Sequence, residues 1–267
     1  MSSDGPHVVR HPGTSGYAVV LVHGFMDDRH IWDGVTAALG EAGTETVRLD
    51  LAGSGTRSGA DGPFTYDRLA ADVVEVLDGL TEPVVLVGQS MGAVVAEFAA
   101  AARPHATRAL VLLTPVPAAG VPMSEEMRAL FGPKELTAEY VEFGRTGFSV
   151  AMPEEALRQQ VATALRMRVS VAGELADCWI DGHPDGGRPS AYPGPVLVVR
   201  GGGDPFVTER LVKDAVLPRF PAPEYVTVEE VGHWPHAERP AEVAAVLGAF
   251  LARRVERDPW SPVGHPC

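Results

Sequence analysis

The chain has 267 residues, 45% of them hydrophobic and 21% charged, which fits one large domain, or a core carrying an insertion, better than two independent domains. Its 22 basic and 35 acidic residues leave a formal charge of −13. That argues against a nucleic-acid partner, whose phosphates call for clustered Lys and Arg, and it disfavours strongly anionic substrates. No apolar run reaches the ~18 residues that a membrane span requires, and polar Met1–Thr14 holds no apolar signal core. A protein with no membrane association and a cytoplasmic location is therefore expected, and self-association into a homo-oligomer is left open.

Short apolar runs bounded by turn residues predict strands at Ala18–Val22, Thr46–Leu49, Val84–Val87, Ala109–Leu113, Val196–Arg200 and Tyr225–Val228. Helical spacing lies between them: Tyr66–Leu80, with Leu69, Val73, Val76 and Leu80 on one face, then Met91–Ala102, Val207–Leu217 and Ala241–Arg254. The alternation predicts an α/β fold, a mainly parallel, doubly wound sheet. The rhythm breaks once. After Leu113 the next strand waits until Val196, and the intervening 115–193 is too long for a loop. Glu125–Phe131, Ala138–Phe143, Pro153–Val171 and Leu175–Trp179 carry helical spacing there. A helical cap over the C-terminal edge of the sheet is expected, the edge where such sheets bind ligands. Residues 1–114 and 194–256 then form the core, and 257–267 a flexible tail. Cys178 and Cys267 stand in no CxxC pair, so Cys178 reads as a free, buried thiol.

The strand Val84–Val87 runs into a helix through Gly88-Gln89-Ser90-Met91-Gly92. A serine at a tight strand-to-helix turn occupies strained backbone, and glycines on both sides let the chain pass close by. The turn lifts the Ser90 hydroxyl above the sheet edge and aims the Met91 N–H at a developing oxyanion. A glycine-flanked turn with a helix-capping serine would read the same in isolation; the strand-then-helix context favours a nucleophile.

A serine hydroxyl needs a histidine to take its proton, and the histidine needs a carboxylate to orient it. His233 follows the strand Tyr225–Val228 and precedes the last helix, with Gly232 freeing the loop. His236 competes but reads as a surface or supporting residue; His183 is expected to be exposed, and His23 to support its loop. For the acid, Asp204 in Gly201-Gly202-Gly203-Asp204-Pro205 follows the strand Val196–Arg200, although it would also cap a helix. The position after Leu113 reads Thr114-Pro115-Val116-Pro117 and offers no carboxylate. Asp177 is held in reserve. The order Ser90, Asp204, His233 has a precedent in strand-turn-helix serine hydrolases. A second oxyanion donor should come from Val22-His23-Gly24-Phe25-Met26, the Phe25 N–H before that of Met26.

His23-Gly24-Phe25, Asp50-Leu51-Ala52-Gly53-Ser54-Gly55 through Ser58, Gly88 to Gly92, and Gly232-His233 through Pro240 together resemble the α/β-hydrolase superfamily, in the esterase- and lactonase-like subgroup with a helical cap. The resemblance extends from about Val8 to Arg254. It implies hydrolysis of a hydrophobic carboxylic ester or lactone through an acyl-enzyme. Ser90 is then the nucleophile, His233 the base and Asp204 the acid, with the Phe25 and Met91 amides as oxyanion hole. Relatives of the haloalkane dehalogenase and epoxide hydrolase kinds use an aspartate where Ser90 stands. Gln89 occupies a position where His is frequent, a departure that puts no role in doubt because this position tolerates many residues. An apolar pocket is expected from Met26, Val116, Met123, Phe131, Phe148, Met152, Leu165, Trp179, Phe206 and Trp234. No metal-ligand cluster is visible, and no metal or other cofactor is expected. Relatives with the same three residues also hydrolyse C–C bonds, cleave cyanohydrins or perhydrolyse esters, and a ligand receptor on the same scaffold is a further alternative.

Overall fold

The computed structural model describes residues 5–255; the expected tail 257–267 and Cys267 lie outside them. A seven-stranded sheet runs in the order β1-β3-β2-β4-β5-β6-β7. Its strands are β1 (Val8–His11), β2 (Ala18–Val22), β3 (Glu45–Leu49), β4 (Val84–Gln89), β5 (Thr107–Leu113), β6 (Val196–Gly201) and β7 (Glu224–Val228). All neighbours pair in parallel except β1, which lies antiparallel along β3 with Val8 opposite Leu49. The six strands read from the sequence are all present. β1 escaped that reading because Val8-Val9-Arg10-His11 is a short edge strand, mostly exposed, with no apolar run to mark it.

The continuous apolar runs of β2, β4, β5 and β6 are explained by burial on both faces. Alternate residues enter different cores, as the two-residue period of a strand requires. Val20, Leu86, Leu110 and Val198 pack on one side with α2 (Tyr66–Asp78) and α3 (Met91–Ala102). Val19, Val87, Val111 and Val199 pack on the other with α1 (Asp33–Glu41) and α9 (Pro240–Arg254). The helix α1 was not foreseen. Its Gly and Ala content leaves only Val35, Thr36 and Leu39 as buried markers of periodicity.

Between β5 and β6 lie α4 (Glu125–Ala129), α5 (Ala138–Gly147), α6 (Glu154–Ala164) and α7 (Val169–Asp181). The spacing predicted one helix over Pro153–Val171 and another over Leu175–Trp179. Instead the chain turns at 165–168, where Leu165 ends α6 and Arg168 begins α7. Val171, Leu175 and Trp179 of α7 join the first core, so the insertion is packed onto the sheet domain. It meets the loops that follow the parallel strands: His233 N–H donates to the Phe148 carbonyl (2.8 Å), and Phe25 faces Trp179 with ring centroids 6.3 Å apart. The segment predicted as helix Val207–Leu217 is a single turn, α8 (Glu209–Leu211), followed by a π-helical turn at Val212–Val216 and a 3₁₀ turn at Leu217–Arg219. Among the described residues no helix is long and apolar enough to cross a membrane.

Candidate active site

Ser90 sits between β4 and α3 with φ 53° and ψ −120°. A non-glycine residue held there costs about 1–3 kcal/mol, a strain that surrounding structure must impose. The flanking glycines show how. A Cβ on Gly88 would lie 2.2 Å from the Gly92 carbonyl oxygen, and one on Gly92 would lie 2.2 Å from that of His23. The turn closes only because neither position has a side chain.

His233 and Asp204 arrive from the loops after β7 and β6. Ser90 Oγ lies 3.0 Å from His233 Nε2, and His233 Nδ1 lies 2.7 Å from Asp204 Oδ2. The second Asp204 oxygen accepts the Phe206 and Val207 amides, each at 2.9 Å. Asp204 therefore does both things the sequence offered, capping the following turn and facing the histidine. All three residues are buried, at 7%, 4% and 8% exposure for Ser90, Asp204 and His233. Burial pushes the Asp204 carboxyl up, but the charge and hydrogen bond of His233 and the two amides outweigh it and hold the group below its ordinary range. An ionised Asp204 fixes Nδ1–H on His233 and leaves Nε2 to accept from the serine hydroxyl.

The histidine loop is held from several sides. Gln89 Nε2 donates to the His233 carbonyl (3.0 Å) and to the Thr114 hydroxyl (3.1 Å), which donates to the same carbonyl (2.9 Å). Gln89, which stands where His is frequent, thus ties the nucleophile turn to the histidine loop. Glu238 accepts three amides, from Gly232 (2.9 Å), Val150 (2.9 Å) and Ala151 (2.8 Å), and so binds the histidine loop to the insertion. His23 supports its loop as anticipated, with Nδ1 against the Gly24 carbonyl (2.9 Å) and Nε2 accepting the Leu51 amide (3.1 Å). His236 is not at the surface. It is 1% exposed and stacked on Trp32 at 4.3 Å, and burial, with the charges of His233 and Arg145, drives its pKa well below normal. His183 is half-buried rather than exposed, packed on Phe98 at 4.4 Å and facing Asp67. The reserve acid Asp177 is solvent-exposed and pairs with Arg128, while His233 pairs with Asp204. Cys178 is free and partly buried, its thiol pushed up to about 12 by burial.

A cavity of about 240 Å³ opens over Ser90 and His233. Of the expected lining residues, Met26, Val116, Phe131, Phe148, Trp179, Phe206 and Trp234 border it, together with Phe25. Three do not. Met123 packs against the first core and Met152 against the second, and Leu165 is 43% exposed at the end of α6. The sequence reading missed Leu130, Tyr140, Phe143 and Arg145, which also line the space. Phe131, Trp179 and Phe206 meet edge to face or tilted, with centroids 4.9–6.0 Å apart, and so build an aromatic wall. Met91 begins α3 and is buried, while Phe25 and Met26 border the cavity on the opposite loop.

Residues 19–246 match the model of the alpha/beta hydrolase family, and the chain belongs to that family. Among curated proteins, it is 25% identical over 257 residues to the sn-1-specific diacylglycerol lipase ABHD11 of Mus musculus, covering 88% of this chain and 81% of that protein. It is 27% identical to epoxide hydrolase A of Mycobacterium tuberculosis, covering 87% and 89% respectively. Among solved structures, an esterase from Exiguobacterium antarcticum superposes with a TM-score of 0.81 at 18% identity, over 94% of this chain and 97% of that one, a likeness of fold.

Two outcomes are expected from the site's geometry. Gln89→Leu should lower the kcat of hydrolysis roughly 10- to 100-fold, with thermal stability nearly kept, because the His233 loop loses its anchor to β4. The second concerns pH. A carboxyl whose folded pKa is depressed adds stability above its unfolded value, 3.8 for Asp204, and that contribution is lost as pH falls through the folded value. Urea unfolding between pH 2 and 5 should therefore show a shallower loss of stability in Asp204→Asn than in wild type; identical slopes would contradict it.

Proposed function

We propose that the protein is a serine esterase acting on a neutral, hydrophobic carboxylic ester or lactone, with the helical insertion as its cap. The observation that carries this reading is the continuous hydrogen-bonded line Ser90–His233–Asp204 opening into an aromatic-walled cavity. Ser90 Oγ attacks the carbonyl carbon while its proton passes to His233 Nε2. The imidazolium is stabilised by Asp204 and then protonates the leaving oxygen. The amides of Met91 and Phe25 hold the tetrahedral oxyanion. Water, deprotonated by His233, releases the acid and restores the hydroxyl.

The cavity supports a neutral substrate. Arg145, which lines it, is paired with buried Asp27 at 3.0 Å and presents no unbalanced charge to an anionic group. A serine at position 90 favours the acyl-enzyme route over the alkyl-enzyme route that an aspartate nucleophile would take.

The test is a panel of short- and medium-chain aryl esters and lactones assayed with wild type, Ser90→Ala and Asp204→Asn. Wild type should turn over apolar neutral esters. Ser90→Ala should lose about 10³-fold or more, and Asp204→Asn a factor on the order of 10⁴ in kcat, with folding intact. Turnover that persists in Ser90→Ala, or a wild type inert on every ester and lactone while still binding apolar ligands, would sink the proposal.

A further inference from the structure

A second polar node lies in the wall of the same cavity that Ser90 borders. Arg145, near the end of α5, is 4% exposed although its side chain carries a full charge. Its Nη2 donates to the Met26 carbonyl at 2.9 Å and lies 3.0 Å from Asp27 Oδ1. Its guanidinium stands 4.4 Å above the ring of Trp234, whose indole N–H donates to Asp27 Oδ2 at 3.2 Å. Four residues from three separate segments therefore share one knot: Met26 and Asp27 after β2, Arg145 from the insertion, and Trp234 next to His233.

Met26 is the residue in this knot whose backbone needs help. Its φ is 59°, in the left-handed region that a methionine seldom adopts. The turn around it is closed by Asp27 N–H to the Gly24 carbonyl at 3.4 Å, a long bond. The short, charge-assisted contact on the Met26 carbonyl comes from Arg145. The carbonyl belongs to the segment that borders the cavity next to Ser90. Since Asp27 balances the guanidinium, Arg145 is poorly placed to recruit an anionic substrate and well placed to hold a peptide plane.

The structure assigns Arg145 a positioning role: it fixes the Met26 carbonyl and with it the left-handed turn at Met26, so that the adjoining Phe25 amide keeps its place where a tetrahedral oxyanion at Ser90 would form. The inference rests on the esterase reading above. It makes the insertion part of the oxyanion site, because the cap supplies the group that locks the loop. A lysine could hold the carbonyl but could not fork to Asp27 or lie flat on Trp234.

Arg145→Met and Arg145→Lys separate this from a role in ground-state binding. With a soluble aryl ester, Arg145→Met should lower kcat by roughly 10- to 100-fold while KM moves by less than about threefold, and Arg145→Lys should fall between it and wild type. A trifluoromethyl ketone that forms a tetrahedral adduct on Ser90 should lose affinity in step with kcat, while the corresponding unreactive alcohol should bind as before. A raised KM at unchanged kcat, or equal weakening of both inhibitors, would overturn the assignment. If Arg145→Met does not fold by circular dichroism and thermal melting, Arg145→Lys is judged by the same criteria. A wild type that neither turns over esters nor is labelled at Ser90 by a fluorophosphonate would instead remove the esterase reading, and this inference with it. An active wild type with kcat unchanged in the variants removes the inference alone.

Discussion

The hydrogen bond between Ser90 and His233 joins residues 143 positions apart in the chain, and most of what is distinctive in the structure serves to keep it at 3.0 Å. Neither partner is held by its own secondary structure. Ser90 stands on a strained turn that exists because Gly88 and Gly92 leave room for carbonyls. His233 stands on a loop that has no regular hydrogen-bonding pattern, so its backbone is tied outward: its carbonyl to Gln89 and Thr114, its amide to Phe148, and the preceding Gly232 to Glu238. Each tie reaches a different element. A shift in any one of β4, β5 or the insertion would reach the serine through the imidazole.

Burial gives these contacts their chemical value. In a water-poor site a hydrogen bond or ion pair is electrostatically stronger than in solvent, and an unpaired charge is correspondingly costly. The cavity accordingly keeps its charges in balanced sets. Asp204 is matched by His233 and two amides, and Arg145 by Asp27. The aromatic wall of Phe131, Trp179 and Phe206 adds no charge and, apart from the Trp179 indole N–H, no polar group. On the proposed mechanism, a developing oxyanion beside Ser90 would be a new charge in the space, and the amides proposed to hold it would act with little competition.

Much of this was legible in the sequence, for identifiable reasons. Strands buried on both faces leave unbroken apolar runs, so six of seven were visible, while β1, mostly exposed at the edge, was not. Ser90, Asp204 and His233 each follow a strand, and strand ends define one edge of a parallel sheet; their convergence followed from order alone. Side-chain direction was less accessible. Met123, Met152 and Leu165 are as apolar as Phe131, and only the turn at 165–168 and the packing of the insertion decide which of them face the cavity. Arg145 and Gln89 were hidden for another reason. Their roles come from pairing with Asp27 and with the His233 carbonyl, contacts of 118 and 144 residues' separation that no local pattern records.

On the proposed mechanism Ser90 becomes acylated during turnover, and that species can be trapped. Wild-type protein mixed rapidly with an aryl ester, quenched in acid and examined by intact mass and peptide mapping should carry one acyl group on the peptide containing Ser90. The adduct should form with a burst of one phenolate per protein molecule when deacylation is the slower step. Ester turnover without any adduct on Ser90, or an adduct on another residue that accounts for the rate, would contradict the account.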